Sequence, residues 1–306
     1  MTRTSARLLL VLGLLAGCSG SAPSERTPFD AVVDVTGIID QLGTGDAADD
    51  ETVINRLTAL GDAAVPALGL AATQRPKAIR LAIVDALGQI DTPLAVDALL
   101  HIAGANDEVL VRASALLALG DRDSPGIRDA FERALADPSP PLSQTAGTAC
   151  GARCTSSAAI DRILTMALDT VPTADFPRVR GTLHRILDGS DRPAADHARA
   201  AIRERTAARL DADQPADRRA RAALLAADAG IDDIEPVLAA TVNSSAAVFL
   251  RVESISWLGR SGTVAAVSAL QHGLSDPVVA PAAARALQAL ATRGIDTAGP
   301  GAAPHS

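Results

Sequence analysis

Three cysteines, five histidines and a recurring arginine are the side chains here whose chemistry could define a function. Cys18 ends an apolar N-terminal run, where a sulfur nucleophile suits covalent modification. Cys150 and Cys154 stand four residues apart. They could pair in an oxidising compartment, although so small a loop restricts the unfolded chain only modestly. Without a second pair they make a poor zinc site. His101, His184, His197, His272 and His305 are scattered, and none is followed by Glu. No Gly-rich phosphate loop or nucleophile elbow stands out, so no catalytic residue, metal ligand or small-molecule cofactor is assigned.

The elements around Cys18 read as an address. Arg3 and Arg7 precede Leu8 to Ala16, which is Leu, Val, Gly and Ala only. That run is too short for a membrane-spanning helix of about 20 residues, and with its positive start it has the layout of a signal peptide. Leu15-Ala16-Gly17-Cys18 resembles the lipobox of bacterial lipoproteins. The resemblance implies cleavage after residue 17, lipid on Cys18, and anchoring outside the cytoplasm by several acyl chains. The anchor would sit on the outer face of the plasma membrane, or in the periplasm or outer membrane of a cell with two membranes. Residues 18–28 then serve as lipidated cysteine and polar tether, because SGSAPSERTP lacks the apolar residues needed to pack.

Composition narrows the partners. Aromatic residues make up 2% of the chain, with one Trp and no Tyr, which disfavours surfaces that stack sugars or single-stranded bases. A formal net charge of −8 disfavours nucleic acid. Loss of residues 1–17 would take Lys+Arg from 28 to 26 against 36 acids, leaving the mature chain near −10.

A ten-residue phrase organises the rest: IRLAIVDALG from Ile79, VRASALLALG from Val111 and LRVESISWLG from Leu250. Degenerate copies start at Thr52, Leu142, Val179, Arg221 and Val279, making eight. The ninth position reads Leu60, Leu87, Leu119, Cys150, Leu187, Ala229, Leu258 and Leu287, so this column is expected to face a core. The tenth is Gly in six copies, where a helix C-cap needs a left-handed residue. A second apolar-periodic run follows most copies, such as Val65 to Ala72, Val96 to Ala103 and Val267 to Leu274. Asp137-Pro138 and Asp276-Pro277 are expected to open the next copy as N-cap and first-turn proline.

Each unit therefore predicts a helical hairpin, and stacked hairpins predict a right-handed solenoid with neighbour-only contacts. The pattern resembles the HEAT-repeat family, closest to its phycobilisome-lyase-like branch, over about residues 50–294. The expected fold is an all-α, HEAT-like α-solenoid of about eight helical hairpins. Residues 29–49 are expected to hold a capping helix (Phe29 to Leu42) and linker, 50–293 the array and 294–306 a disordered tail. Between Arg180 and Ala222 the unit lengthens, and Ala194 to Leu210 reads as one long second helix.

Arg80, Arg112, Arg180 and Arg251 share the phrase's second position. The column could grip an acidic partner, but the HEAT resemblance implies a structural ladder bonding acids and carbonyls of adjacent units. His101, Glu132, Thr165 and His272 share a row of the second helices, expected on the concave side as candidate contacts for an envelope protein. An iron-binding hydroxylase branch of HEAT-like proteins uses His-Glu pairs, which this sequence lacks. The expected function is a non-enzymatic protein-binding scaffold; the rivals are an accessory lyase that attaches a prosthetic group, and a passive assembly factor. Cys18→Ser should abolish metabolic labelling with radiolabelled palmitate and release the protein from membranes or leave it unprocessed; undiminished labelling would refute the anchor.

Overall fold

A computed structural model describes residues 35–297, apart from 44–45, 106–107, 121 and 123. Cys18 and the tether lie outside the described residues. All described regular structure is helical. A short helix α1 (35–39) buries Val35 and Ile39 and is followed by buried Leu42. It is the described part of the expected capping helix.

The phrase helices are α2 (Ala47–Ala59), α4 (Lys77–Gln89), α6 (Val109–Leu119), α8 (Pro140–Ala149), α10 (Phe176–Leu187), α12 (Ala216–Asp228), α14 (Val248–Ser261) and α16 (Ala280–Thr292). Between them run α3 (Val65–Gln74), α5 (Pro93–Gly104), α7 (Pro125–Leu135), α9 (Ser157–Thr165), α11 (Arg192–Ala207), α13 (Glu235–Val242) and α15 (Ala265–Gly273). Each phrase helix packs on the next phrase helix, forming one layer. The second helices form another, in which α3, α5, α7, α9 and α11 pack in succession, as do α13 and α15. Among the described residues seven hairpins result, and α16 follows them as a single helix.

Local chemistry sets the boundaries. Asp46 accepts hydrogen bonds from Ala48 N and Asp49 N, and Asp49 bonds back to Asp46 N, so a capping box starts α2 at Ala47, ahead of the expected start at residue 50. Thr92, Ser156 and Asp191 cap α5, α9 and α11 more simply, each side chain accepting from one backbone N–H, that of Ala95, Ala159 or Ala194. Prolines occupy the first turn of α3, α5, α7, α11 and α13, where a missing N–H costs nothing. The array's C-terminal edge reaches past residue 293. Ile295 packs against the core and Thr297 O accepts a hydrogen bond from Gln271, so the expected disordered tail is ordered at its start; residues 298–306 lie outside the described residues.

The core column is buried at Leu87, Leu119, Cys150, Leu187, Ala229 and Leu258, but Leu60 is 40% exposed and Leu287 is half-buried. These two lie in the terminal copies. In α2 the buried face shifts to Val53, Ile54 and Leu57, and in α16 to Ala282, Ala283, Ala286 and Leu290.

The phrase-ending glycines divide into two kinds. Gly61, Gly120, Gly151 and Gly230 have positive φ and end their helices as expected. Gly88 and Gly259 instead lie inside α4 and α14, where the next unit packs close against them, most tightly at Gly259. A Cβ at Gly88 would lie 3.1 Å from the Ala118 Cβ, and one at Gly259 would lie 2.9 Å from the Ala286 Cα. Both alanines hold the eighth phrase position of the following copy, so glycine and alanine form a seam between units.

The seam predicts opposite outcomes for one substitution. Gly259→Ala should lower the urea midpoint by the equivalent of about 1–3 kcal/mol, because the obstructing atom is backbone. Gly69→Ala in α3, with nothing within 4 Å of the new methyl, should raise stability by about 0.5–1 kcal/mol.

Candidate functional site

The arginine column is where the sequence concentrates charge on a repeated position. In α6, Arg112 donates from Nε to Ala103 O (3.2 Å), near the end of α5, and from Nη2 to Asp137 Oδ2 (3.1 Å). In α14, Arg251 repeats the geometry with Val242 O (2.8 Å), the last residue of α13, and Asp276 Oδ2 (2.5 Å). A helix end leaves carbonyls without partners, and the planar guanidinium reaches one of them and a carboxylate together. One arginine therefore ties the preceding second helix to the turn that opens the next unit.

That use revises the two Asp-Pro pairs. Asp137 and Asp276 accept from Ser139 N and Val278 N, two residues on, in short turns ahead of α8 and α16. The helices begin later, at Pro140 and Ala280, so neither aspartate is the N-cap, and Pro138 and Pro277 precede the first turn. The Arg251 hydrogen bond, helped by that from Val278 N, holds the Asp276 carboxyl below the usual carboxylate range.

Arg180 departs from the ladder. Its Nε and Nη2 fork onto Asp228 of α12 at 2.6 and 2.7 Å, and its Nη1 meets Glu253 of α14 at 2.9 Å. Burial opposes the Arg180 charge, but the bonds to both carboxylates outweigh it and raise the guanidinium pKa above its ordinary value. The trio floors an open cleft of about 330 Å³ whose walls include His184, Phe249 and Arg260. Arg80, the fourth member of the column, is half-buried in α4.

In the lengthened unit the stitching falls to Arg221, at the first phrase position of its copy. Its Nη1 donates to Val171 O (2.9 Å) and its Nη2 to Thr173 Oγ1 (2.7 Å), with the guanidinium 5.5 Å from the Phe176 ring centre. Thr173 in turn donates to Asp217, whose other oxygen accepts from Ala247 N at 2.7 Å. Burial lowers the Arg221 pKa from its ordinary value.

A second arginine series lies outside the ten-residue phrase. Arg122 donates to Gly88 O (2.6 Å) and Ile90 O (3.1 Å), and Arg153 donates to Arg122 O (3.1 Å) and Cys150 O (3.2 Å). Each stands two residues beyond a phrase-ending glycine, Gly120 or Gly151, and reaches the turn of the preceding unit. That fixed spacing was the available signal.

The expected contact row does lie on the second helices, in α5, α7, α9 and α15. His101 and His272 are exposed. Glu132 and Thr165 are partly engaged inside the array: Glu132 accepts from Ser156 N (3.4 Å), while Thr165 Oγ1 accepts from Arg205 (2.8 Å) and donates to Asp161 O. Cys150 and Cys154 are fully buried and joined as a disulfide, Cα atoms 5.9 Å apart, across the turn Gly151–Arg153. Among the described residues no group of three or more His, Cys, Asp or Glu converges to hold a metal ion.

Residues 35–120, from α1 to the end of α6, match the family of HEAT repeats. The chain carries HEAT repeats. No curated protein matches it. A solved structure of human deoxyhypusine hydroxylase in complex with glycerol aligns with 86% of this chain and 98% of its own length, at 19% identity and a TM-score of 0.35.

The Arg251–Asp276 pair yields a pH prediction. A carboxyl whose folded pKa is depressed stabilises the fold above its unfolded value near 4, and that contribution fades as pH falls through the folded one. Asp276→Asn should therefore be less stable than the parent at pH 7 in urea unfolding. The gap should narrow progressively below about pH 4.

Proposed function

We propose that this protein is a non-enzymatic, protein-binding scaffold held at a bacterial cell membrane by lipid on Cys18. The observation that carries the reading is how the array spends its conspicuous chemical groups. Arg112, Arg251, Arg122, Arg153 and Arg221 bond carbonyls and acids of neighbouring units, and the two remaining cysteines are buried in a disulfide. What faces outward is a long helical surface, and HEAT repeats generally mediate protein interactions.

An attachment enzyme would need an accessible nucleophile beside a base in a shared pocket. Cys150 and Cys154 are buried, His101 and His272 on α5 and α15 line none of the clefts at Arg180, Asp161, Asp91 or Trp257, and His184, exposed in the cleft at Arg180 and 3.3 Å from Asp188, has no Cys, Ser, Thr or Lys beside it in the lining. No described helix is long and apolar enough to cross a membrane. The lipid read from Leu15-Ala16-Gly17-Cys18 supplies the proposed attachment.

The partner is expected to be another envelope protein meeting the second-helix face, with exposed His101 and His272 among the contacts. Crosslinking in intact cells, detergent extraction and affinity capture should recover a specific protein at least about tenfold above a tag-only control. Recovery should fall at least about threefold for His101→Ala/His272→Ala, by loss of up to ~1 kcal/mol of contact energy. Recovery of nothing above the control refutes the scaffold reading.

A further inference from the structure

We propose that a cavity between the sixth and seventh units binds a cationic side chain, an arginine or lysine presented by a partner protein. The proposal rests on the scaffold reading and names the partner chemistry that one part of the scaffold takes.

Trp257 is the chain's single tryptophan, and it sits in α14 at the eighth phrase position. Alanines hold that position at Ala118 and Ala286, where they close the seam against Gly88 and Gly259. The glycine facing Trp257's copy is Gly230, which has no neighbouring atom within 4 Å of its Cβ position. A cavity of about 420 Å³ opens there, walled by half-buried Trp257, Ile231 and Ala227 with exposed Ala265, and rimmed by the turn after α12.

That turn supplies Asp232, Asp233 and Glu235, and no basic residue lines the cavity. Glu235 Oε1 is occupied by Thr263 N and Oγ1 at 2.7 and 3.0 Å, which fixes the rim. Asp232 and Asp233 are exposed to solvent. By contrast, the cleft at Arg180 sets Asp228 and Glu253 against Arg180 and Arg260, and the cleft at Asp161 sets Asp137 and Asp161 against Arg162 and Arg205. Their charges balance, whereas this cavity keeps three uncompensated carboxylates beside an aromatic wall. An indole face attracts a cation through its quadrupole, and a guanidinium or ammonium would also satisfy the acids.

With one tryptophan and no tyrosine, intrinsic fluorescence reports this cavity alone. Full-length protein in detergent is titrated with N-acetyl-arginine amide, with an acetyl-Gly-Arg-Gly amide peptide, with neutral N-acetyl-norleucine amide, and with NaCl at matched ionic strength. The proposal expects a saturable emission change with both arginine probes and not with the two controls. It also expects affinity at least about fivefold weaker in Asp232→Asn/Asp233→Asn, a pair of substitutions that keeps the backbone preference of Asp233 at φ 64°. Tighter binding of the peptide than of the amide identifies a partner's side chain. Equal affinity identifies a free organic cation, which overturns the protein partner but keeps the site. A non-saturating response, one reproduced by NaCl, or one undiminished in the double variant overturns the site itself. None of these results bears on capture through the second-helix face, so the two readings fail separately.

Discussion

Short helices laid side by side end in carbonyl oxygens that nothing within the helix can satisfy, and this array depends on how it meets that constraint. Arginine reaches across from the next unit. Arg112 and Arg251 close the ends of α5 and α13 while holding Asp137 and Asp276, and Arg122 and Arg153 do the same for the turns behind the phrase helices. Because each bond joins neighbours, the units gain a fixed register from contacts made along the stack. Hydrophobic burial is non-directional and would tolerate sliding, whereas a forked guanidinium does not.

The same economy explains the surface. Arginines committed to carbonyls are withdrawn from recognition, leaving an outer face on which exposed histidines and unbalanced acids stand out. Where the ladder is interrupted, the chemistry changes. Arg180 turns to Asp228 and Glu253, Arg221 takes over the stitching, and the second layer gives way between α11 and α13 to a segment in which the 166–170 π turn packs against α12. Trp257 follows one unit later, where its bulk replaces alanine in the seam. The array's departures from its own rule cluster in this stretch, and a scaffold would gain specificity there.

Much of the fold was legible because a helix writes its period into the sequence. The phrase, its apolar column and the second runs placed most helices within a few residues. One sequence position, however, serves more than one structural purpose. Glycine at the tenth position is a positive-φ cap at Gly120 and a close-approach residue at Gly259, and Asp137 looks like an N-cap in sequence but serves an arginine in space. Leu60 and Leu287 fit the column yet fall at the ends, where a missing neighbour changes which face is covered.

By itself the sequence determined the helical repeat, the approximate placing of its helices, and Cys18's resemblance to a lipidated cysteine, because these depend on residues near one another in the chain. Tertiary structure decided which arginines stitch the array, which glycines are pressed by a neighbour, and where Trp257 opens a cavity. Those outcomes depend on partners in other units, the carboxylates of Arg112 and Arg251 lying 25 residues away, and linear periodicity carries no information about which of them a side chain will meet.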